Sequence, residues 1–114
     1  MRRHHLSAAD ALALLPGAPT GDYPQGAPFI DVLAHGTMSV EVYVPVGTDD
    51  QQPHDQDELY VVISGTGQFV RGDERSAFAP HDVLFVPAGM DHRFVDFSDD
   101  FATWVIFWGP TGGE

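Results

Sequence analysis

Cysteine is absent from the 114-residue chain, which excludes disulfides, thiolate metal ligands and a cysteine nucleophile. Basic residues are scarce: 5 Lys and Arg stand against 17 Asp and Glu, for a formal net charge of -12. With no basic patch to release counterions, nucleic acid and anionic membrane surfaces are disfavoured as partners, and the acidity serves solubility. No apolar run approaches the ~20 residues of a membrane-spanning helix. Internal repeats and low-complexity tracts are also missing. What remains is a chain of ordinary apolar content, long enough for one hydrophobic core and too short for two.

The N-terminal stretch MRRHHLSAADALALLPGAP has the arginines and the short apolar run of a signal peptide. Asp10 interrupts that run, and the segment reads better as a short helix over Ala8 to Leu15, capped by Ser7 and stopped by Pro16 and Gly17. Leu6, Leu12 and Leu15 would form its apolar stripe. The expected compartment is the cytoplasm. A linker rich in Pro and Gly follows, so residues 1–28 are expected to form a helix and arm, and residues 29–114 the β domain.

From PFIDVLAHG onward the chain is β-like. TMSVEVYVP, ELYVVIS, QFVRG, DVLFVP, HRFVDF and FATWVIFW are short apolar segments punctuated by turn residues, with no helical period between them. This pattern predicts an all-β antiparallel sandwich or barrel. In TMSVEVYVP, Glu41 and Tyr43 face away from Val40 and Val42, and the pattern leaves open which pair faces inward. The last segment is apolar on both faces and needs a cover on its outer side, from the N-terminal helix or from a second subunit.

The stretch QQPHDQDELYVVISGTG carries the chemistry. Gln52, His54, Gln56 and Glu58 share parity, but a straight strand would hold the Cα atoms of His54 and Glu58 ~13 Å apart. A shared ion needs both side chains within about 2.0–2.2 Å of it, so metal binding requires a bend at Asp55–Asp57, where the segment DQD favours a turn. His92, which follows VLFVP and the turn AGMD, is the candidate third ligand. Two histidines and a carboxylate make a facial set with open positions, suited to non-haem iron, and Gln52 could add an amide oxygen or bond a metal-held water. The alternative is a solvated His54, a strand-capping Glu58 and a surface His92.

Together the two segments resemble the cupin superfamily, in its small single-domain (cupin 2) form. Gly47 begins the first cupin motif, and the triplet Gln52-Pro53-His54, Glu58 and Gly65 follow at its spacing from one another. Pro87, Gly89, His92 and Asp96 stand at that of the second. The resemblance runs from about Phe29 to Trp108 and implies a double-stranded β-helix, the cupin jelly-roll barrel, with a metal in its cavity. It departs from the usual pattern at Gln52 (histidine expected), His81 (glycine) and Asp96 (asparagine). Sugar-phosphate isomerases of the mannose type in the superfamily also use a Gln-x-His pair. The resemblance therefore implies Gln52, His54, Glu58 and His92 as ligands of a divalent ion, Fe, Mn, Zn or Ni.

Around these residues, Asp96 shares the face of an inward His92 and is a candidate acid/base or a partner to a ligand histidine. Tyr60 shares the parity of Glu58 and can line the cavity or pack in the core. His81 is expected to be a turn residue. The expectation is a metal-dependent oxygenase or isomerase acting on a small molecule, probed against the alternative of a non-catalytic ligand-binding or sensing barrel. The assembly expected is a homodimer.

Overall fold

The computed structural model describes residues 4–114. Ser7 adopts extended backbone and its Oγ accepts the Asp10 amide at 3.0 Å, which caps α1 (Ala8–Leu12). The helix is shorter than the sequence predicts, ending before the turn that leads to Pro16. The arm that follows is tied down by a backbone bridge between Gly17 and Ala27.

Eight strands follow: β1 (Phe29–His35), β2 (Met38–Tyr43), β3 (Asp57–Ser64), β4 (Gly67–Arg71), β5 (Glu74–Phe78), β6 (Val83–Val86), β7 (His92–Val95) and β8 (Ala102–Trp108). They form a five-stranded antiparallel sheet in the order β1-β2-β8-β3-β6 and a three-stranded sheet in the order β5-β4-β7. The all-β jelly-roll expectation holds, although the strand ladders do not close into one continuous barrel among the described residues. β5 is absent from the sequence reading because four of its five residues are exposed and two are charged.

The interior between the sheets is aromatic. Tyr60, Phe69, Phe78, Phe94 and Phe101 form one cluster with Val62, Val86 and Val105, and Phe94 contacts Tyr60 and Phe69 at ring-centroid distances of 4.9 Å each. A second cluster lies on the outer face of the large sheet. There Ala11 is fully buried, and Leu6, Leu12 and Leu15 pack with Val32, Val40, Val42 and Trp104. The helix is thus the cover that the doubly apolar β8 requires. It also settles which face of β2 is inside: Val40 and Val42 meet the helix, so Glu41 and Tyr43 turn inward.

Candidate metal centre

Residues 51–54 are irregular, and the chain bends at Asp55 and Gln56 before β3 begins at Asp57. The predicted bend is present, and His54 ends the loop that precedes it. Hydrogen bonds at three residues fix this entry. Gln56 Nε2 donates to the carbonyls of Thr37 and Gly109, at 3.2 and 2.8 Å. The buried Asp57 accepts the amides of Ala88 and Glu114, at 2.9 and 3.1 Å. The amide of Gly89 donates to the carbonyl of His54 at 2.8 Å. The last two tie the turn before β7 to the bend before β3, which draws His92 towards His54 and Glu58.

The ligand-type atoms of His54, Glu58 and His92 lie within 4.8 Å of one another. Glu58 Oε1 is 3.0 Å from His54 Nδ1 and 2.8 Å from His92 Nε2. The side chains of Glu58 and His92 are buried, whereas His54 is about one-third exposed. His92 Nδ1 is 2.9 Å from the Met90 carbonyl. A carbonyl can only accept, so Nδ1 carries the proton of the neutral ring and leaves the Nε2 lone pair available to a ligand. His92 Nε2, although 2.8 Å from Glu58 Oε1, has no aligned hydrogen-bond partner among the described residues, and Glu58 Oε2 has none either. Buried polar atoms left in this way are costly unless something joins them. A cation is such a group, and the donor set of two imidazoles and one carboxylate fits a divalent first-row metal.

The electrostatics of the ion-free cluster follow from the same contacts. Burial alone would push the Glu58 carboxyl up, but its two imidazole neighbours outweigh that and hold it below the ordinary value. Burial would likewise lower His92, but Glu58 and the Met90 carbonyl bring it above the ordinary histidine value. Aromatic rings wall the cluster: Phe107 lies 4.9 Å from the His54 ring and Tyr60 5.9 Å from the His92 ring. Such walls strengthen any charge interaction inside.

The other sequence candidates fall differently. Gln52 is exposed on the rim of a cavity of about 440 Å³ that His54 also lines. Its neighbour Gln51 takes the inner contacts, accepting from the Tyr60 hydroxyl at 3.0 Å and donating to Asp49 at 2.7 Å. Tyr60 is fully buried in the aromatic cluster. Burial, and then the charges of Glu58 and Asp49, raise its pKa well above the ordinary phenol value, so it keeps its proton and supports Gln51. Asp96 lies outside the His54–Glu58–His92 cluster. Its φ of 51° ends the alternation of β7 and swings the side chain outward, where it is 76% exposed and pairs with Arg75 at 2.9 Å. His81 is the expected turn residue, exposed at a φ of 75°.

Sequence reasoning missed Asp49 and Glu41. Asp49 is buried and accepts from the Tyr43 hydroxyl (2.6 Å), the Gln51 side chain and the Phe94 amide (2.8 Å). It pins the loop before His54 to both sheets. Only its place in the polar run TDDQQ hinted at this. A second cavity, of about 520 Å³, runs along Asp50–Pro53 and β7. The His92 side chain is wholly buried, so that groove meets His92 only through its backbone, and the cavity beside His54 is the one next to the donor atoms.

The family model described as "Cupin domain" matches residues 39–108. An uncharacterized protein of Streptomyces coelicolor, SCO3923, is 39% identical over 84 residues, covering 72% of this chain and 80% of its own length. Among solved structures, a cupin 2 conserved barrel domain protein from Salinispora arenicola is 19% identical with a TM-score of 0.59, over 71% of this chain and 74% of its own. A putative mannose-6-phosphate isomerase from Ralstonia eutropha is 25% identical with a TM-score of 0.57, over 82% of this chain and 97% of its own.

Proposed function

The chain belongs to the cupin domain family, and from that premise we propose that it is a metal-dependent enzyme of the isomerase type, acting on a small hydroxycarbonyl compound. The observation that carries this reading is the buried, unaligned pair of Glu58 and His92 beside His54. These three residues would hold the ion, and Gln52, at the cavity rim, would complete or tune its surroundings. A divalent ion bound there supplies Lewis acidity towards a carbonyl or enolate oxygen.

The chain's own groups do the rest. The Met90 carbonyl fixes the tautomer of His92, so Nε2 is the donor atom. Phe107 and the buried aromatic cluster keep bulk water from the inner side. Asp49 and Gln51 set the position of the loop that carries His54. The likeness to the Ralstonia protein, and the Gln-x-His pair at Gln52 and His54, favour isomerisation of a hydroxycarbonyl compound, in which one proton moves between the two carbons and one between the two oxygens.

A second reading is an oxygenase, favoured by the same donor set, because two histidines and one carboxylate leave open positions for dioxygen on iron. Incubating the zinc- and iron-loaded proteins with mannose 6-phosphate and a panel of hydroxyketones in deuterium oxide separates the two. The isomerase reading expects deuterium to enter the carbon next to the carbonyl by NMR, without oxygen consumption. Oxygen uptake by the iron form without exchange selects the oxygenase. Neither response rejects both.

A further inference from the structure

We propose that Glu41 is a ligand-binding residue of the cavity beside His54, with a carboxyl oxygen that accepts a hydrogen bond from a hydroxyl of the bound molecule. The inference rests on the reading of this cavity as a small-molecule site, and it names the ligand feature recognised: a hydroxyl, within a small neutral hydroxycarbonyl compound.

Glu41 projects from the inner face of β2, and the ladder places it opposite Asp31 on β1 and opposite Val105 on β8. Val105 in turn faces Tyr60 on β3, so Glu41 lies in the row of side chains that crosses the sheet towards the cluster. It lines the cavity of about 440 Å³ together with Phe29, Tyr43, Gln52, His54 and Phe107. Phe29, Tyr43 and Phe107 give it aromatic walls, and Asp22 and Asp50 also line it. A carboxylate set beside these rings, with another acid across the strand, would be poorly solvated and is an unexpected choice for a purely structural position.

Its environment resolves the apparent conflict. Burial first, then the charge of Asp31 and a hydrogen bond with it, push the Glu41 carboxyl up to about 8. Near neutrality Glu41 therefore keeps its proton. An uncharged carboxyl on the cavity wall keeps a carbonyl oxygen that can accept a hydrogen bond. A neutral acceptor in an apolar wall selects a hydroxyl donor, because a ligand lacking that hydroxyl leaves the oxygen without a partner.

The test compares binding of hydroxyacetone and acetone, which differ by one hydroxyl, followed by NMR titration of wild type, Glu41→Gln and Glu41→Leu. Each protein is measured ion-free and after loading with zinc, and zinc content is determined separately. Glutamine keeps an amide donor for Asp31 and a carbonyl oxygen for the ligand, so it should behave like wild type. Both should prefer hydroxyacetone by roughly threefold to tenfold, the yield of one hydrogen bond, and Glu41→Leu should show no preference. An equal preference in all three proteins, or none in wild type, overturns the proposal. If the preference follows Glu41 while zinc fails to bind, the metal reading falls and the Glu41 assignment stands.

Discussion

His92 Nε2 lies 2.8 Å from Glu58 Oε1 without the alignment of a hydrogen bond. Two ligand atoms aimed at a common third point have this relationship, because the bonds of each run to that point and not to each other. Glu58 is therefore the anionic centre of the site. Glu58→Gln should lower affinity for zinc or manganese at least tenfold, since even residues behind the ligands contribute roughly 10–100-fold. Calorimetric titration with each metal checks this, and unchanged affinity would remove Glu58 from the ligand set.

The ion-free protein should be most stable near pH 5 and lose stability towards pH 8 and above. Two groups act in this direction. Glu41 has a folded value of about 8 against 4.5, so the native state binds the extra proton between those values and stability falls as pH rises. His92 is raised above 6.5, so its contribution is complete below 6.5 and is lost as pH climbs through the folded value. Glu58 is lowered from 4.5, so its contribution is present above 4.5 and disappears in stronger acid. Metal reverses the alkaline trend, because a ligand histidine must be unprotonated. Thermal unfolding of ion-free and zinc-loaded protein from pH 4 to pH 9, roughly the span in which these groups titrate, checks both slopes, and Glu41→Gln should flatten the first. A stability that rises with pH in the ion-free protein would refute the assignment.

How much of this was legible in the sequence depends on whether local rules governed each residue. His54, Glu58 and His92 could be picked out because ligand chemistry demands a bend between the first two, and the DQD segment supplies one. Leu6, Leu12 and Leu15 were readable from helical spacing. Asp96 was misplaced because parity carries a side chain inward only while the strand continues, and β7 stops at Val95 with a left-handed residue next. β5 has no apolar alternation to reveal it. The inward face of β2 is set by where the helix docks, a tertiary fact, so Glu41 had no signal of its own.

Asp49 should matter more for stability than its position in a polar loop suggests. Asp49→Ala removes the acceptor for Tyr43, Gln51 and Phe94 and leaves the Phe94 amide without its partner. A loss of about 2–4 kcal/mol is expected, with a smaller one for Asp49→Asn. Urea unfolding measures it, and a change below about 0.5 kcal/mol, the range of ordinary surface substitutions, would show that the loop is held by other contacts.

Gly65 closes the first motif for a steric reason. Its φ is 87°, and an added Cβ would stand 2.6 Å from Phe101 Cα and 2.8 Å from Phe101 N, so backbone would have to move. Gly72 also has positive φ, 58°, but open space around it. Gly65→Ala should therefore cost more than about 1 kcal/mol and clearly more than Gly72→Ala, whose cost is the backbone strain alone. Equal effects in urea unfolding would mean that the Gly65–Phe101 approach relaxes freely.

The most direct test of the central claim is elemental analysis of the tag-free protein beside the double variant His54→Ala/His92→Ala. The account predicts a near-stoichiometric divalent ion, iron, manganese, zinc or nickel, in the native protein and its loss in the variant. A native protein that holds no ion even after incubation with each of these metals, or a variant that holds as much, would contradict it.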